Sequence, residues 1–379
     1  MSMTDAEVTA ITLTEAELDH LVTHAPARGL LAGPGLPPDT SLPTDTGLLT
    51  FAPLRTHGLR WPVDATGGPC RLADELRDRL VIGELLNPAG PERESILLDG
   101  ATGEPTTAYL ATPTGAHPFA PSLTTMLRFA AVTEELAGLR GRFASLAGRF
   151  GPGAAGEASR RLLALFEEGS DGAVPAYWRA AALIRPLSLV AAPGASGLAL
   201  EMPGRLLGQE FGHGRVARFE EVDFPATLTH QPTRRFLRET GLPEETVDTE
   251  LPLSTLTEYY AGEAGDLPAH ADHLIRLGPL TPDTTLVLDG RTGAVLTYAE
   301  PALHPLNTDI STLAFTLWLL HHERVIDAHV SHELTTTAYD QLAATMLATL
   351  TVLDPTGVSP AGSWHYWTEL LREEAGGVR

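Results

Sequence analysis

The sequence predicts an α+β protein in which one domain is written twice. Two observations carry that reading. Residues 21–37, LVTHAPARGLLAGPGLP, and residues 227–243, TLTHQPTRRFLRETGLP, share the frame Thr-His-x-Pro-x-Arg-x-x-Leu-x-x-x-Gly-Leu-Pro at a constant offset of 206, without a gap. Three further pairs follow in the same order: SILLDGATG (95–103) with TLVLDGRTG (285–293), APSLTTML (120–127) with TDISTLA (308–314), and AVPAYWRAA (173–181) with SWHYWTELL (363–371). Four anchors in one order, with little drift in offset, mark a duplicated domain and not a chance motif. The expected layout is a first domain over 1–192 including an N-terminal extension, a linker over 193–204 and a second domain over 205–379. AAPGASG (191–197) supplies the flexible composition of a linker.

Each anchor has a local physical meaning. In the first, Pro26 and Pro232 suit an opening helical turn, where a missing N–H leaves nothing unpaired. Gly35 and Gly241 fit the left-handed position beyond the helix end, and Pro37 and Pro243 stop its continuation. Gly29, Gly33 and Pro34 make the first copy's helix the weaker one. In the second anchor, apolar residues alternate on either side of Asp-Gly-x-x-Gly, the pattern of two strands joined by a tight turn. Asp99 and Asp289 therefore read first as turn residues and only second as catalytic carboxylates.

The third anchor is a helix with Ser122 or Asp309 as its N-cap. Behind the caps, Leu123, Met126, Leu127 and Ala130 fall on one face, as do Ile310, Leu313, Ala314 and Leu317. The fourth is a helix whose Trp364, Trp367, Leu370 and Leu371 form either a buried face or an aromatic platform. Residues 96–99 and 286–289 are expected to be equivalent strands, and the two domains to pack around an approximate two-fold.

Composition narrows the class. The chain has 379 residues, 43% of them hydrophobic, and a mean hydropathy of −0.00, which suits globular domains with their own cores. Its formal charge of −22 disfavours nucleic acid and anionic membranes, and favours solubility or a basic partner. All 26 basic residues are Arg; with so much Ala, Gly, Pro and Thr this reads as codon habit, not chemistry. The single cysteine, Cys70, excludes a disulfide framework and a cysteine-based metal site. The first twenty residues lack a basic region followed by an apolar core, and every apolar stretch is broken before eighteen positions. A cytoplasmic protein is expected.

The anchors together resemble the SUKH superfamily, and more narrowly its actinobacterial immunity-protein branch. The resemblance rests on Pro-Thr-Arg-Arg-Phe-Leu with Gly-Leu-Pro, the strand running into Asp-Gly-x-Thr-Gly, the helix opened by Asn-Thr-Asp-Ile-Ser-Thr, and the terminal Trp-containing helix. It covers nearly all of the second copy and only the anchors of the first, degenerate one. It implies a mostly antiparallel sheet covered by helices, and an activity of binding and neutralising toxin domains such as nucleases and deaminases. It implies no catalytic residues. A tandem copy is unusual for a minimal immunity protein, so a co-opted role in natural-product biosynthesis stays open beside it.

No Walker loop, Gly-x-Gly-x-x-Gly, Gly-x-Ser-x-Gly or His-Glu-x-x-His is present, and Gly-His-Gly at 212–214 is too short to cradle phosphate. No cofactor is expected. Histidines gather in HHERVIDAHVSHE (321–333), where His322, His329 and His332 could share a helical face, with Glu333 as a fourth candidate for zinc or nickel. AHADH (269–273) poses the same question with less support. Acidic residues point to binding instead. Glu239, Glu244, Glu245, Asp248, Glu250, Glu258, Glu263 and Asp266 lie in one stretch without an Arg, while the matching part of the first copy is nearly neutral. Of these, Glu244, Glu245, Asp248, Glu250 and Glu258 are the expected contacts to a basic toxin face.

The first functional reading is therefore an immunity-type protein acting by protein–protein contact. The alternative is a cofactor-independent cyclase or lyase acting on a small polyketide or peptide in a pocket between the copies. Its residues would be His321, His322 and Glu323, which replace Glu134-Glu135 of the first copy and could serve as an acid–base pair near pH 7.

Overall fold

The computed structural model describes residues 10–37, 49–64, 67–68, 72–86, 93–110, 115–170, 174–192, 197–198, 200, 202–244, 253–261, 267–281, 283–299, 302–329, 336–358 and 365–375. The chain divides into two compact units. One comprises Met1–Ala147, Ala158–Arg185 and Ile326–Ala344; the other comprises Gly148–Glu157, Pro186–Val325 and Thr345–Arg379.

The first unit begins with the short helices α1 (Glu15–Leu18) and α2 (Ala25–Ala32). Its sheet follows: β1 (Leu49–Thr50), then the helix α3 (Ala52–His57), then β2 (Arg79–Leu86), β3 (Arg93–Asp99), β4 (Pro105–Ala108) and β5 (His117–Pro118). The five strands are hydrogen-bonded in chain order, and every pairing is antiparallel. Successive residues of β3 face opposite sides of the sheet, yet Ile96, Leu97 and Leu98 are all fully buried, so both faces of the central strand are covered. On one side Leu97 packs with Leu72, Leu76, Val81 and Ala108. The helical part of the core is aromatic. Phe129 on α4 (Leu123–Ala137), Phe166 on α5 (Pro152–Glu167) and Trp178 on α6 (Ala176–Ile184) meet with ring centroids 4.7–5.5 Å apart.

The second unit repeats the order. After α7 (Gly204–Glu210) come β6 (Val216–Ala217), α8 (Gln231–Glu239) and β7 (Leu242–Pro243), with β6 and β7 paired. Its sheet consists of β8 (Ser254–Thr255), then the helix α9 (Leu256–Tyr259), then β9 (Leu274–Thr281), β10 (Thr284–Asp289), β11 (Val295–Ala299) and β12 (Ala302–Asn307), again antiparallel and in chain order. Leu286, Val287 and Leu288 repeat the full burial of the central strand. Val287 packs with Leu256, Ala271, Leu274 and Tyr298. The series is completed by α10 (Ile310–His329) as far as Val325, α11 (Thr336–Leu353) from Thr345 onward, and α12 (Tyr366–Ala375), the stretch Ile326–Ala344 counting with the first unit.

The duplicated frame proves to be a clamp that ties a helix to a hairpin. The amides of Thr23 and His24 donate to the Gly100 carbonyl at 2.8 and 3.0 Å, and those of Thr229 and His230 donate to Gly290 at 2.8 and 2.9 Å. Arg28 pairs with Glu15, and Arg234 pairs with Glu221, each reaching back to the turn before its helix. The Gly-Leu-Pro ends are equivalent too: Ile11 bridges Leu36 in the first copy, as Ala217 pairs with Leu242 in the second. Gly35 and Gly241 take φ values of 72° and 81°, and a Cβ on either would meet the carbonyl oxygen of Ile11 or Ala217 at 2.4 or 2.3 Å. Only glycine fits there.

The remaining anchors behave as their chemistry dictates. Asp99 Oδ1 accepts from the amides of Ala101 and Thr102, and Asp289 Oδ1 from those of Arg291 and Thr292, so both carboxylates hold hairpin turns. Ser122 accepts from Thr125 N at 3.1 Å, and Asp309 from the amides of Ser311 and Thr312. The two helices differ in depth. On α4 a buried stripe alternates with exposed Thr124, Arg128 and Ala131, whereas α10 is buried almost all round from Ile310 to Leu320. The hydroxyl side chains of α10 there, Ser311, Thr312 and Thr316, bond within the helix or to its cap.

Candidate functional site

The acidic stretch starts at the end of α8 and runs over β8 and α9, beside the sheet of the second unit. Glu239, Glu244 and Glu258 are exposed. Glu245, Asp248, Glu250, Glu263 and Asp266 lie outside the described residues. Glu258 has a second task. Its carboxylate accepts from Thr255 N at 2.9 Å while its own amide donates to Thr255 Oγ1 at 3.1 Å, a reciprocal cap for α9. Next to it Tyr259 is 46% exposed, with the Arg276 guanidinium 4.4 Å from its ring centroid and Tyr260 packed edge-on at 5.0 Å. What the described residues show here is an exposed tyrosine ring with a cation over it, next to a glutamate that caps its helix.

Of the histidine candidates in 321–333, only His321 has a described side chain. His321 is half-buried on α10, and its ring lies 4.3 Å from that of Phe211. That is a packing contact within the second unit. Backbone of α10 carries His322 and Glu323, whose side chains are outside the described residues, as are His332 and Glu333. In the first copy the corresponding positions are used structurally. Glu135 accepts from Arg142 N at 3.1 Å and pairs with its guanidinium, while burial raises the Glu134 carboxyl against the pull of Arg185 and Arg140. In AHADH, His270 takes a left-handed φ of 67°, and His273 is buried with Nδ1 3.4 Å from Asp272. Among the described residues no group of three or more His, Cys, Asp or Glu side chains could hold a metal ion. No described helix is long and apolar enough to cross a membrane.

Two buried polar groups escaped the sequence reading. In the second unit Asp354, fully buried at the end of α11, accepts from Asn307 Nδ2 at 2.9 Å, Thr308 Oγ1 at 2.6 Å, and the amides of Thr308, Thr356 and Gly357. Asn307 Oδ1 in turn accepts from the indole of Trp367 at 3.0 Å. Trp367 is thus 1% exposed and holds α12 in place, which makes it a buried anchor and not a platform; Trp364 lies outside the described residues. In the first copy the equivalent Trp178 donates to a backbone carbonyl, that of Phe119, at 2.8 Å. The signal was present as an aligned exchange of Ala120 for Asn307, a polar residue entering an apolar position.

His365 sits on the edge of this network. It is 9% exposed, and burial lowers its pKa below the usual histidine value while Thr356, Asp354 and Pro305 act in the opposite direction. The other group is in the first unit, where Glu94 and Tyr177 are buried near the half-buried Arg185. Burial drives the Tyr177 phenol far above its ordinary range, with Arg185 opposing and Glu94 adding to the rise. Each group sits inside a unit, where it organises packing.

A family model described as SUKH-4 immunity protein matches this chain twice, over residues 5–168 and 202–373. No curated protein matches it, and no solved structure does.

Proposed function

The chain belongs to the SUKH-4 immunity protein family, and from that premise we propose that it binds a toxin domain and blocks it by protein–protein contact, the toxin being of the nuclease or deaminase class. One observation carries the choice of surface. The stretch from Glu239 to Asp266 holds eight carboxylates and no Arg, whereas the stretch 33–60 of the first copy balances Asp39 and Asp45 with Arg55 and Arg60. Enzymes that grip nucleic acid present cationic rims to phosphate. An acidic face set against such a rim accelerates encounter, selects the partner and occupies the site.

The test uses a candidate nuclease or deaminase toxin domain, sought first among the products of genes adjacent to this chain's own. Isothermal titration against the intact chain should give tight binding that weakens as sodium chloride rises from 50 to 300 mM. The variant E244Q/E245Q/D248N/E250Q should bind at least tenfold more weakly and fail to silence the toxin's nuclease or deaminase activity. Unchanged affinity in that variant would remove the acidic face from the reading. Absence of any binding by the intact chain would remove the toxin.

A further inference from the structure

We propose that one edge of the first unit's sheet is a docking surface for an acidic peptide segment, built on Trp61 and Val63 with Arg55 and Arg60 beside them. The surface follows from how the chain leaves β2 and rejoins it. Thr50 of β1 pairs with Glu84, and Arg60 bridges to Val81. The chain between Thr50 and Arg60, α3 included, therefore begins and ends about 10 Å apart along a single edge. That keeps Arg55 of α3 next to the segment that follows. The whole stretch, APLRTHGLRWPV (52–63), contains two Arg and no carboxylate.

Residues 60–64 are held at both ends. The Arg60 carbonyl accepts from Val81 N at 2.9 Å. At the other end Asp64 closes a turn, its amide donating to the Gly68 carbonyl at 2.8 Å and its carbonyl accepting from Gly67 N at 2.9 Å. Between these ties exposure alternates: Trp61 is 48% and Val63 is 45% exposed, while Pro62 and Asp64 are buried. A period of two is that of an extended segment, with both apolar side chains on its outer side. Pro62 fixes its own φ and confines Trp61 to extended backbone. The surface is thus ordered before any partner arrives, and little freedom is lost on binding.

Charge selects the occupant. Arg55 and Arg60 are exposed, and among the described residues neither guanidinium makes an ion pair or a hydrogen bond. Elsewhere in the same unit Arg28, Arg77 and Arg142 pair with Glu15, Asp74 and Glu135. Asp64, the carboxylate next along the chain, is 6% exposed and accepts from Gly68 N at 3.3 Å. A fixed tryptophan beside uncompensated arginines has the composition of an interface centre. Guanidinium forks match carboxylates, and the net charge of −22 disfavours a nucleic-acid backbone. A peptide that mixes carboxylates with apolar side chains satisfies both features, its acids on Arg55 and Arg60 and its apolar groups on Trp61 and Val63. The contact is small, which sets the expected dissociation constant at about 0.1 mM. This inference stands apart from the toxin reading, and its test contains no toxin.

Fluorescence anisotropy of a labelled synthetic peptide, EDELFEDE, decides it. The intact chain is titrated in 0.1 M sodium chloride, where a screening length of about 10 Å confines the field to the patch and mutes the repulsion from the rest of the chain. Saturable binding near 0.1 mM is expected. A peptide with Lys and Arg in place of the acids should not bind, and one with Gly in place of Leu and Phe should bind at least fivefold more weakly. R55E/R60E and W61A should each weaken binding at least tenfold, with thermal melting curves like the parent's, since the replaced side chains lie at the surface. If W61A melts early, R55E/R60E decides alone. No saturation with 1 mM chain overturns the proposal, and so does affinity unchanged in R55E/R60E. Tighter binding of a twelve-nucleotide oligothymidylate than of the acidic peptide also overturns it, because the face would then belong to nucleic acid.

Discussion

The imidazole of His230 fills the space that a side chain at Gly293 would need: a Cβ there would stand 2.3 Å from Nδ1. His24 does the same at Gly103, at 2.0 Å. Both glycines also take left-handed φ values, 80° and 77°. Replacing Gly293 with Ala therefore combines backbone strain with a collision, and should cost about 2 kcal/mol or more of unfolding free energy, read by urea denaturation. The double variant G293A/H230A should recover part of that loss. Strictly additive losses would show that strain alone is responsible.

Asp354 should be among the least replaceable residues of the second unit. Asp354→Ala strands the amides of Thr308, Thr356 and Gly357 and the Asn307 side chain, with an expected cost of about 3 kcal/mol or more. Asn307→Ala should release Trp367 and expose its indole, seen as a red shift of tryptophan emission. A fluorescence spectrum unchanged in that variant would show that α12 is anchored elsewhere.

Stability should fall on mild acidification because of His365. Its folded pKa lies below the usual value, so below about pH 6.5 the unfolded chain takes up a proton that the folded chain refuses. This contribution is complete above the unfolded pKa and disappears as pH drops toward the folded one. Urea midpoints at pH 7.5 and 5.5 should differ, and His365→Gln should reduce the difference. An equal pH dependence in the variant would assign the effect to other groups.

His321 gives a fourth test, through packing. His321→Ala should lower stability by about 1 kcal/mol by removing its contact with Phe211, while His321→Phe should keep most of it. A thermal melt separates the two. If Ala is as stable as the parent, the ring contact is incidental.

The backbone of this protein was largely legible in its sequence, because each anchor is a rule about the backbone. Glycine at positive φ, proline in a first turn, Asp in a tight hairpin and Ser or Asp at a cap each leave a local mark. Written twice, the marks check one another. The buried polar residues were not legible in this way. Nothing local distinguishes Asp354 from a solvated aspartate, since its five donors come from residues brought to it by β12 and the loop after α11. The depth of α10 was missed for a related reason: Thr312 and Thr316 are polar letters, but they bond to the helix's own carbonyls and so can be buried. Surface function was the faintest. Charge counts indicated a face, while the exposure of Trp61 depends on where the chain has been folded.

The two clamps differ in the length of chain they close: 77 residues separate Thr23 from Gly100, and 61 separate Thr229 from Gly290. The change in loop-closure entropy between those lengths is about 0.2 kcal/mol, a negligible charge on either copy. Between clamp and hairpin, then, the scaffold tolerates insertion and deletion while its grip stays the same. Such a stretch is where a lineage can rewrite specificity quickly, and where an engineer could splice in a reporter or a foreign recognition loop without redesigning the frame.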